Sequence, residues 1–262
     1  MPLDLTNFGL DGMLRCGLGL RRSTREARSV EAAAAGIVRF LHDGCRDPAT
    51  GARSCALVRF YLTQQLGALD AALQAFARRA LVAGAGGQHR ASVADAAFAA
   101  RAAAPAADPA MRCLTLLATA GDRPEWNDRR QSRGHQAIPL PSPRAVERAP
   151  MVAQLIRQMG LDIADVVRPS PAVVGDAEGR THNVFHVAEA LGSPYIPAQA
   201  DFVIPCGVRS VVGFGGLVFD ELFAVILFSR APIPAPSADR FRTIALDAKS
   251  ALHALQPVPV FG

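Results

Sequence analysis

The stretch RSVVGFGGLVFDELFAVILFSR, residues 209–230, consists of two apolar segments separated by a short turn near Asp220. Both segments are short and rich in β-branched and aromatic residues, so the pattern predicts a β-hairpin. Apolar residues occupy nearly every position instead of alternate ones, which indicates strands that are buried on both faces or lie centrally in a sheet. The hairpin therefore predicts a β-sheet at the core of the protein.

Further strands and helices are expected elsewhere in the chain. Three other short apolar runs are typical of strands: CALVRFYLT (55–63), RCLTLLATAG (112–121) and HQAIPLP (135–141). Apolar residues at helical spacing predict helices over 25–43, 64–82 and 144–160, and a closing helix capped by Ser237. This order predicts an α+β fold, in which an antiparallel sheet carries helices on one face and a long lid segment over the other.

The composition favours one folded domain over the whole chain, 1–262. Half of the residues are apolar and only 19% are charged, which is enough apolar material for a sizeable core. Residues 84–110 are the exception, because this alanine- and proline-rich stretch has few large apolar side chains. We expect it to be an insertion.

Charge and cysteine usage exclude several classes of protein. The net charge of +5 comes almost wholly from arginine, with Lys249 the only lysine, and the basic residues do not alternate with aromatic ones. Nucleic-acid binding is therefore not expected. The five cysteines form no CxxC motif, which speaks against a zinc knuckle and fits a reducing compartment. Without a signal peptide or an apolar run of about 18 residues, the protein is predicted to be cytoplasmic and not to bind membranes.

The stretch THNVFHVAEALGSPYIPAQADF, residues 181–202, contains His182 and His186 four positions apart, followed by Glu189. On a helix these histidines would share one face, an arrangement that suits two imidazoles on one metal ion. The other interpretation is that they are polar residues of the lid, one of them bonded to a backbone carbonyl. The stretch lies in an irregular connection of about fifty residues, and connections of that length are usually functional.

Haem is a second ligand that this region could accept. Haem requires an apolar slot and one axial histidine or cysteine, for which His186 and Cys206 are the candidates. The candidate slot residues are Phe185, Phe202, Val203 and Phe214. The alternative is that these are ordinary core residues. No CxxCH motif is present, so any haem would be bound noncovalently.

Three more residues are candidates for a ligand pocket. Trp126 lies in an arginine-rich loop directly before a predicted strand, where the arginines would suit an anionic ligand, although a loop that faces water is the favoured interpretation. Arg209 opens a predicted buried strand, so its charge should need a partner or a ligand. Tyr195 lies between two prolines, where its ring could close over a ligand or fasten the lid to the core.

The chain resembles the GAF domain, a small-ligand sensory module common in bacterial signalling proteins. Residues 207–255 are similar to its last two strands and closing helix, and EAAAAGIVRFL (31–41) and CALVRFYLT (55–63) are similar to its first helix and first strand. The resemblance implies a pocket floor formed by 113–120, 136–140 and 209–228, a lid over 144–207, and dimerisation through the terminal helices 25–43 and 239–255. GAF ligands include cyclic nucleotides, bilins, haem, nitrate and small organic molecules.

Three functions follow as hypotheses. The first is a non-enzymatic sensor that encloses a small ligand, with haem as one candidate, and signals by homodimerisation or to a protein in trans. The second is a thiol-dependent enzyme, since free methionine sulfoxide reductases resemble GAF domains, with Cys206 and Cys113 as the thiols to consider. The third is a structural dimerisation module with no ligand. The sequence does not name the ligand.

Overall fold

A computed structural model describes residues 2–85, 107–169, 184–255 and 258–262. Its strands are β1 Cys55–Gln65, β2 Arg112–Gly121, β3 Ala137–Leu140, β4 Val184–Val187, β5 Ser210–Val218 and β6 Glu221–Ser229. They form one six-stranded sheet in the order β3-β2-β1-β6-β5-β4, in which every neighbouring pair is antiparallel. The predicted α+β class and antiparallel sheet are confirmed.

The predicted hairpin forms the β5–β6 pair, and its two-residue turn has backbone angles that most residue types disfavour. Val218 pairs with Glu221, which leaves Phe219 and Asp220 as the two loop residues. Both have positive φ, 54° and 62°, as the two-residue turn that best matches strand twist requires. The Phe219 ring packs edge-on against His253, with 5.1 Å between ring centroids.

One face of the sheet, here called the helix face, is covered by long helices. These are α1 Leu10–Thr24, α2 Val30–Gly44, α3 Ala71–Ala85 and α9 Phe241–His253. The helix α1 was not expected from the sequence, where only 25–43 showed clear periodicity. Helix α2 begins after Ser29, whose side-chain oxygen accepts a hydrogen bond of 3.1 Å from the Ala32 amide.

The opposite face, here called the lid face, is covered by short helices that belong to the predicted lid segment. The covering helices are α4 Pro143–Glu147, α5 Pro150–Gln158, α6 Ile163–Val167 and α7 Ile204–Cys206, the last preceded by a π-helical turn, Gln199–Val203. The single helix expected over 144–160 is divided because Pro150 lacks an amide hydrogen and holds Ala149 outside the helical region. A short helix, α8 Ala235–Asp239, precedes α9.

The edge strand β4 corrects the expectation that the fifty or so residues after the helix over 144–160 are all irregular. Its four residues pair with β5 from Val184 opposite Phe214 to Val187 opposite Val211. A strand this short gives almost no alternation in the sequence, which explains why it was not predicted.

Two other expectations meet the limits of the described residues. The expected insertion over 84–110 falls mostly outside them, since the structure describes α3 up to Ala85 and resumes at Ala107. In the ranges that are described, no helix is both long and apolar enough to span a bilayer.

Candidate functional site

The residues that the sequence singled out around His186 do not lie together. Phe185 and His186 are successive residues of β4 and therefore point to opposite faces of the sheet. Phe185 is fully buried on the lid face, whereas the His186 ring lies on the helix face with Nε2 2.8 Å from the Ile233 carbonyl oxygen. His186 therefore has the contact expected from the second interpretation, in which one histidine bonds to a backbone carbonyl. His182 lies outside the described residues.

The residues considered for a haem slot are divided between the two faces of the sheet. Phe185 pairs with Gly213, so the next residue, Phe214, points to the helix face, where its ring lies 5.6 Å from that of Phe241. Cys206 is buried among the lid-face residues, away from His186 and Phe214. Phe185, Phe202, Val203 and Cys206 therefore lie on the lid face, whereas His186 and Phe214 lie on the helix face. No group of three His, Cys, Asp or Glu side chains that could hold a metal ion occurs in the described ranges.

Arg209 and Tyr195 lie at the surface rather than in a pocket. The Arg209 side chain is exposed and forms no ion pair with the described residues, while its backbone amide donates to the Ser229 carbonyl at 2.7 Å. The expectation of a buried charge was wrong because Arg209 precedes β5 instead of lying within it. The Tyr195 side chain is 38% exposed.

Trp126 packs against the residues of the lid face. Its ring packs edge-on against Phe202 at 5.5 Å, and Phe202 packs edge-on against Phe228 at 5.1 Å. Trp126 can approach the end of β2 because Gly121 has no side chain, since a Cβ there would lie 2.9 Å from Trp126. We call Trp126, Phe202 and Phe228 the aromatic wall.

A charged residue that the sequence analysis did not single out, Arg59, lies in the middle of the lid face. It belongs to β1, which is flanked by β2 and β6 at the centre of the sheet. Arg59 is directly opposite Thr119 on β2 and Ile226 on β6, so these three side chains are neighbours on one face. The fold therefore places an arginine beside the apolar side chains of the lid face.

Two polar atoms of this neighbourhood are buried without a hydrogen-bond partner: Arg59 Nε and Thr119 Oγ1. Arg59 Nη1 donates a long hydrogen bond of 3.3 Å to the Tyr61 hydroxyl. Among the described residues, no carboxylate forms an ion pair with Arg59. Its charge is therefore not neutralised by the part of the chain that the structure describes.

His135 belongs to the same electrostatic environment. Its pKa is lowered to about 4, chiefly by burial and further by the positive charge of Arg59. The side chain is nevertheless accessible to water. This exposure to water weakens the effect of burial on the ring. His135 is still neutral at pH 7. We call Arg59, Tyr61, Thr119 and His135 the Arg59 cluster.

Two clefts lie away from this cluster. One of about 670 Å³ is lined by residues of α3, β2 and α6, among them Arg78, Arg112 and Arg168. Arg112 is already paired with Glu221, whose pKa is raised by burial. The other cleft, of about 390 Å³, includes His42, whose Nε2 lies 3.3 Å from Asp122. In both, the buried charged groups have partners within the chain.

The sequence did contain a signal for Arg59, because it is the only charged residue in the apolar run CALVRFYLT. An isolated arginine in a buried strand requires a partner or a ligand. This requirement was considered for Arg209, but it holds more strongly for Arg59, which lies within a strand. No protein-family model matches the chain, and no curated protein is significantly similar to it. The proposals that follow therefore depend on the geometry of these residues.

Proposed function

We propose that the protein is a non-enzymatic sensory domain of the GAF type that binds a small ligand between the lid face of its sheet and the segments covering that face. The observation that carries this proposal is the pair of buried, unpartnered polar atoms on Arg59 and Thr119. The position of α4, α5 and α6 over the lid face gives further support, because the segment after the third strand provides the lid in the GAF family.

Burial of a polar atom without a hydrogen bond costs about 1–3 kcal/mol, so buried groups are almost always paired. Three other buried atoms of this kind belong to side chains with a carboxylate partner: His42 lies 3.3 Å from Asp122, Arg112 is paired with Glu221, and Arg15 is paired with Asp11. The remaining one, the Ser132 hydroxyl, is uncharged. Arg59 and Thr119 are adjacent to each other and have no such charge partner among the described residues. A bound ligand is the partner that would satisfy both at once.

The thiol chemistry of the enzyme hypothesis gains no support. Cys206 is buried among lid-face residues, while Cys113 belongs to a cluster with α3 on the other side of the sheet. Burial also raises the pKa of Cys113 to about 12, so its reactive thiolate form is scarce at neutral pH. For these reasons we favour binding over catalysis.

Homodimerisation is the output that the surface of α1 supports. Leu10, Leu14 and Leu18 are 68%, 64% and 55% exposed and follow one another at intervals of four residues, which places them on one side of the helix. The stripe is symmetric about Leu14. Two copies packed antiparallel would therefore place Leu14 against its own counterpart and Leu10 against Leu18, as a two-fold interface requires. Signalling to another protein in trans would use the same helices.

The ligand-binding proposal is tested by screening the purified full-length chain for thermal stabilisation with nucleotides, amino acids, organic acids, inorganic anions and haem. Hydrogen exchange should then be measured with the best compound. We expect a compound that raises the melting temperature and slows exchange in 150–167 and 196–208. The proposal is wrong if no compound stabilises the protein and exchange in these ranges never changes.

The dimer is tested separately by light scattering on the wild type and a Leu14→Glu variant. We expect the wild type to be dimeric and the variant to be monomeric, with ligand binding retained. A wild type that is still monomeric at a protein concentration of about 100 μM would have a dimer dissociation constant too high for a specific dimer. That result would overturn the dimer proposal and leave the ligand-binding proposal unaffected.

A further inference from the structure

We infer that the Arg59 cluster binds a planar oxyanion carrying a single negative charge, of which carboxylates and nitrate are the two sources. This inference rests on the proposed function and adds the chemical class of the ligand. It stands on the position of Arg59 in the sheet, its unpaired donor, and the polar groups beside it.

The charge of the site sets the charge of the ligand. Arg59 is permanently protonated, and no described carboxylate is paired with it. His135, whose pKa is lowered by burial and by Arg59, is neutral at pH 7 and adds no second positive charge. The cluster therefore offers one uncompensated positive charge in a half-buried position. A monoanion would neutralise it, whereas a dianion would leave an unbalanced negative charge in the layer between sheet and lid.

The geometry of the donors sets the shape of the ligand. A guanidinium presents its N–H groups in a planar fork that matches two oxygens of a carboxylate or nitrate. Arg59 has a buried Nε without an acceptor, and its only side-chain hydrogen bond within the described residues is the long one to Tyr61. Thr119, directly opposite on β2, has an unpartnered hydroxyl that can donate to the same anion. The site thus supplies donors and lacks an acceptor with a negative charge.

The surroundings restrict the size of the ligand. Leu57 and Ile226 flank Arg59 on the lid face and are each 3% exposed. Their burial shows that protein already covers the apolar floor on these sides, which leaves little room for a large ligand such as a nucleotide. A small anion with few atoms beyond its planar charged group is the class that fits.

The test compares anions that differ in shape and charge, at pH 7.5 and constant ionic strength, by calorimetry and thermal shift on the full-length chain. Formate, acetate, benzoate and nitrate are the planar monoanions, perchlorate is a tetrahedral monoanion, and sulfate is a dianion. Acetamide and benzamide are neutral analogues of the same shape. We expect the planar monoanions to bind at least tenfold more tightly than perchlorate, sulfate or either amide. Nitrate measured against the carboxylates distinguishes the two sources.

Four variants assign the binding to Arg59. Arg59→Met removes the charge and should weaken binding at least tenfold, since charge-assisted hydrogen bonds are among the strongest in proteins. Arg59→Lys keeps the charge but loses the fork, so its affinity should lie between those of wild type and Arg59→Met. Thr119→Val should weaken binding several-fold. Arg209→Met removes an exposed arginine of equal charge and should bind like the wild type.

The outcomes separate this inference from the proposed function. If the amides bind as tightly as the acids, or if Arg59→Met binds like the wild type, the oxyanion inference is wrong. Neutral compounds that stabilise the lid would in that case leave the sensor proposal intact. If none of the compounds of either screen binds, both proposals fail. Should Arg59→Met not fold, Arg59→Lys and Thr119→Val provide the same decision.

Discussion

Both faces of the sheet are covered by protein, but they differ in the side chains that the central strands present to them. On the helix face, aromatic rings pack against each other. Phe214 lies 5.6 Å from Phe241, Phe8 lies 4.7 Å from Phe241, and Phe60 lies 6.0 Å from Phe223. The middle of β1 and β6 presents only apolar side chains to this face: Val58, Phe60, Leu62, Phe223, Val225 and Leu227. Close packing of this kind stabilises the fold, and these side chains offer no polar group to a ligand.

On the lid face, β1 carries Arg59 among the apolar residues. Its neighbour on β2, Thr119, is also polar, and each has a buried polar atom without a hydrogen-bond partner. Here the cover consists of short helices such as α5 and α6 and the turn before Cys206. A face with unpaired polar atoms under short helices is less stable than one packed by long helices, and it is better suited to opening around a ligand. Under the proposed function, stability and binding therefore belong to opposite sides of one sheet.

The largest expected effect comes from truncating a ring on the helix face. Phe214→Ala should lower the free energy of unfolding by about 3–5 kcal/mol, because it removes a fully buried ring and leaves a cavity. The matched lid-face variant Phe202→Ala should cost less, since Phe202 is half-buried. Guanidinium unfolding of both variants measures the difference. Equal costs would contradict the division of roles between the two faces.

A smaller effect is expected where β5 and β6 approach most closely. A Cβ added to Gly215 would lie 2.0 Å from the Phe223 carbonyl oxygen, and backbone atoms cannot move aside as a flexible side chain can. Gly215→Ala should therefore destabilise the protein by about 1–3 kcal/mol. The control is Gly134→Ala, where nothing lies within 4 Å of the added atom. If both variants unfold at the same denaturant concentration, the close approach is not rigid.

The hairpin and the closing helix were predictable because their signals are local. The run over 209–230 has continuous hydrophobicity, and the closing helix has apolar residues at helical spacing, so neither needs a tertiary contact to be recognised. They correspond to β5, β6 and α9 in the structure. Helix α1 and strand β4 were missed. Exposed Leu10, Leu14 and Leu18 blur the amphipathic pattern of α1, and β4 has only four residues.

The site was harder to predict than the fold, because it depends on which face each side chain takes. Alternation within a strand separates Phe185 from His186 and Phe214, and a sequence without known strand boundaries does not reveal this. Arg59 and Thr119 are 60 positions apart in the chain and become neighbours only through the register of β1 with β2.

Replacing Arg59 should affect stability in the opposite direction from the core variants. Arg59→Met removes an unpartnered buried Nε at the expense of one long hydrogen bond to Tyr61, so the ligand-free protein should become more stable by about 1 kcal/mol. Loss of function with a gain of stability is typical of a binding residue. Denaturant unfolding without added anions measures the change. A fall in stability of similar size would indicate that Arg59 is a structural residue.

The smallest effect concerns His135 and the pH dependence of stability. Its pKa is about 4 in the folded protein and near the ordinary value of 6.5 in the unfolded chain, so between these values the unfolded chain binds more protons. Stability should therefore be fully present above pH 6.5 and decrease as the pH falls toward 4. In a His135→Gln variant this part of the decrease should be absent. The effect should be modest, because the ring is accessible to water and its charge is screened.

Melting temperatures at pH 7.5 and pH 5.0 provide the measurement. If wild type and variant lose the same amount, His135 is not held neutral beside Arg59, and the argument for a singly charged site loses its second support.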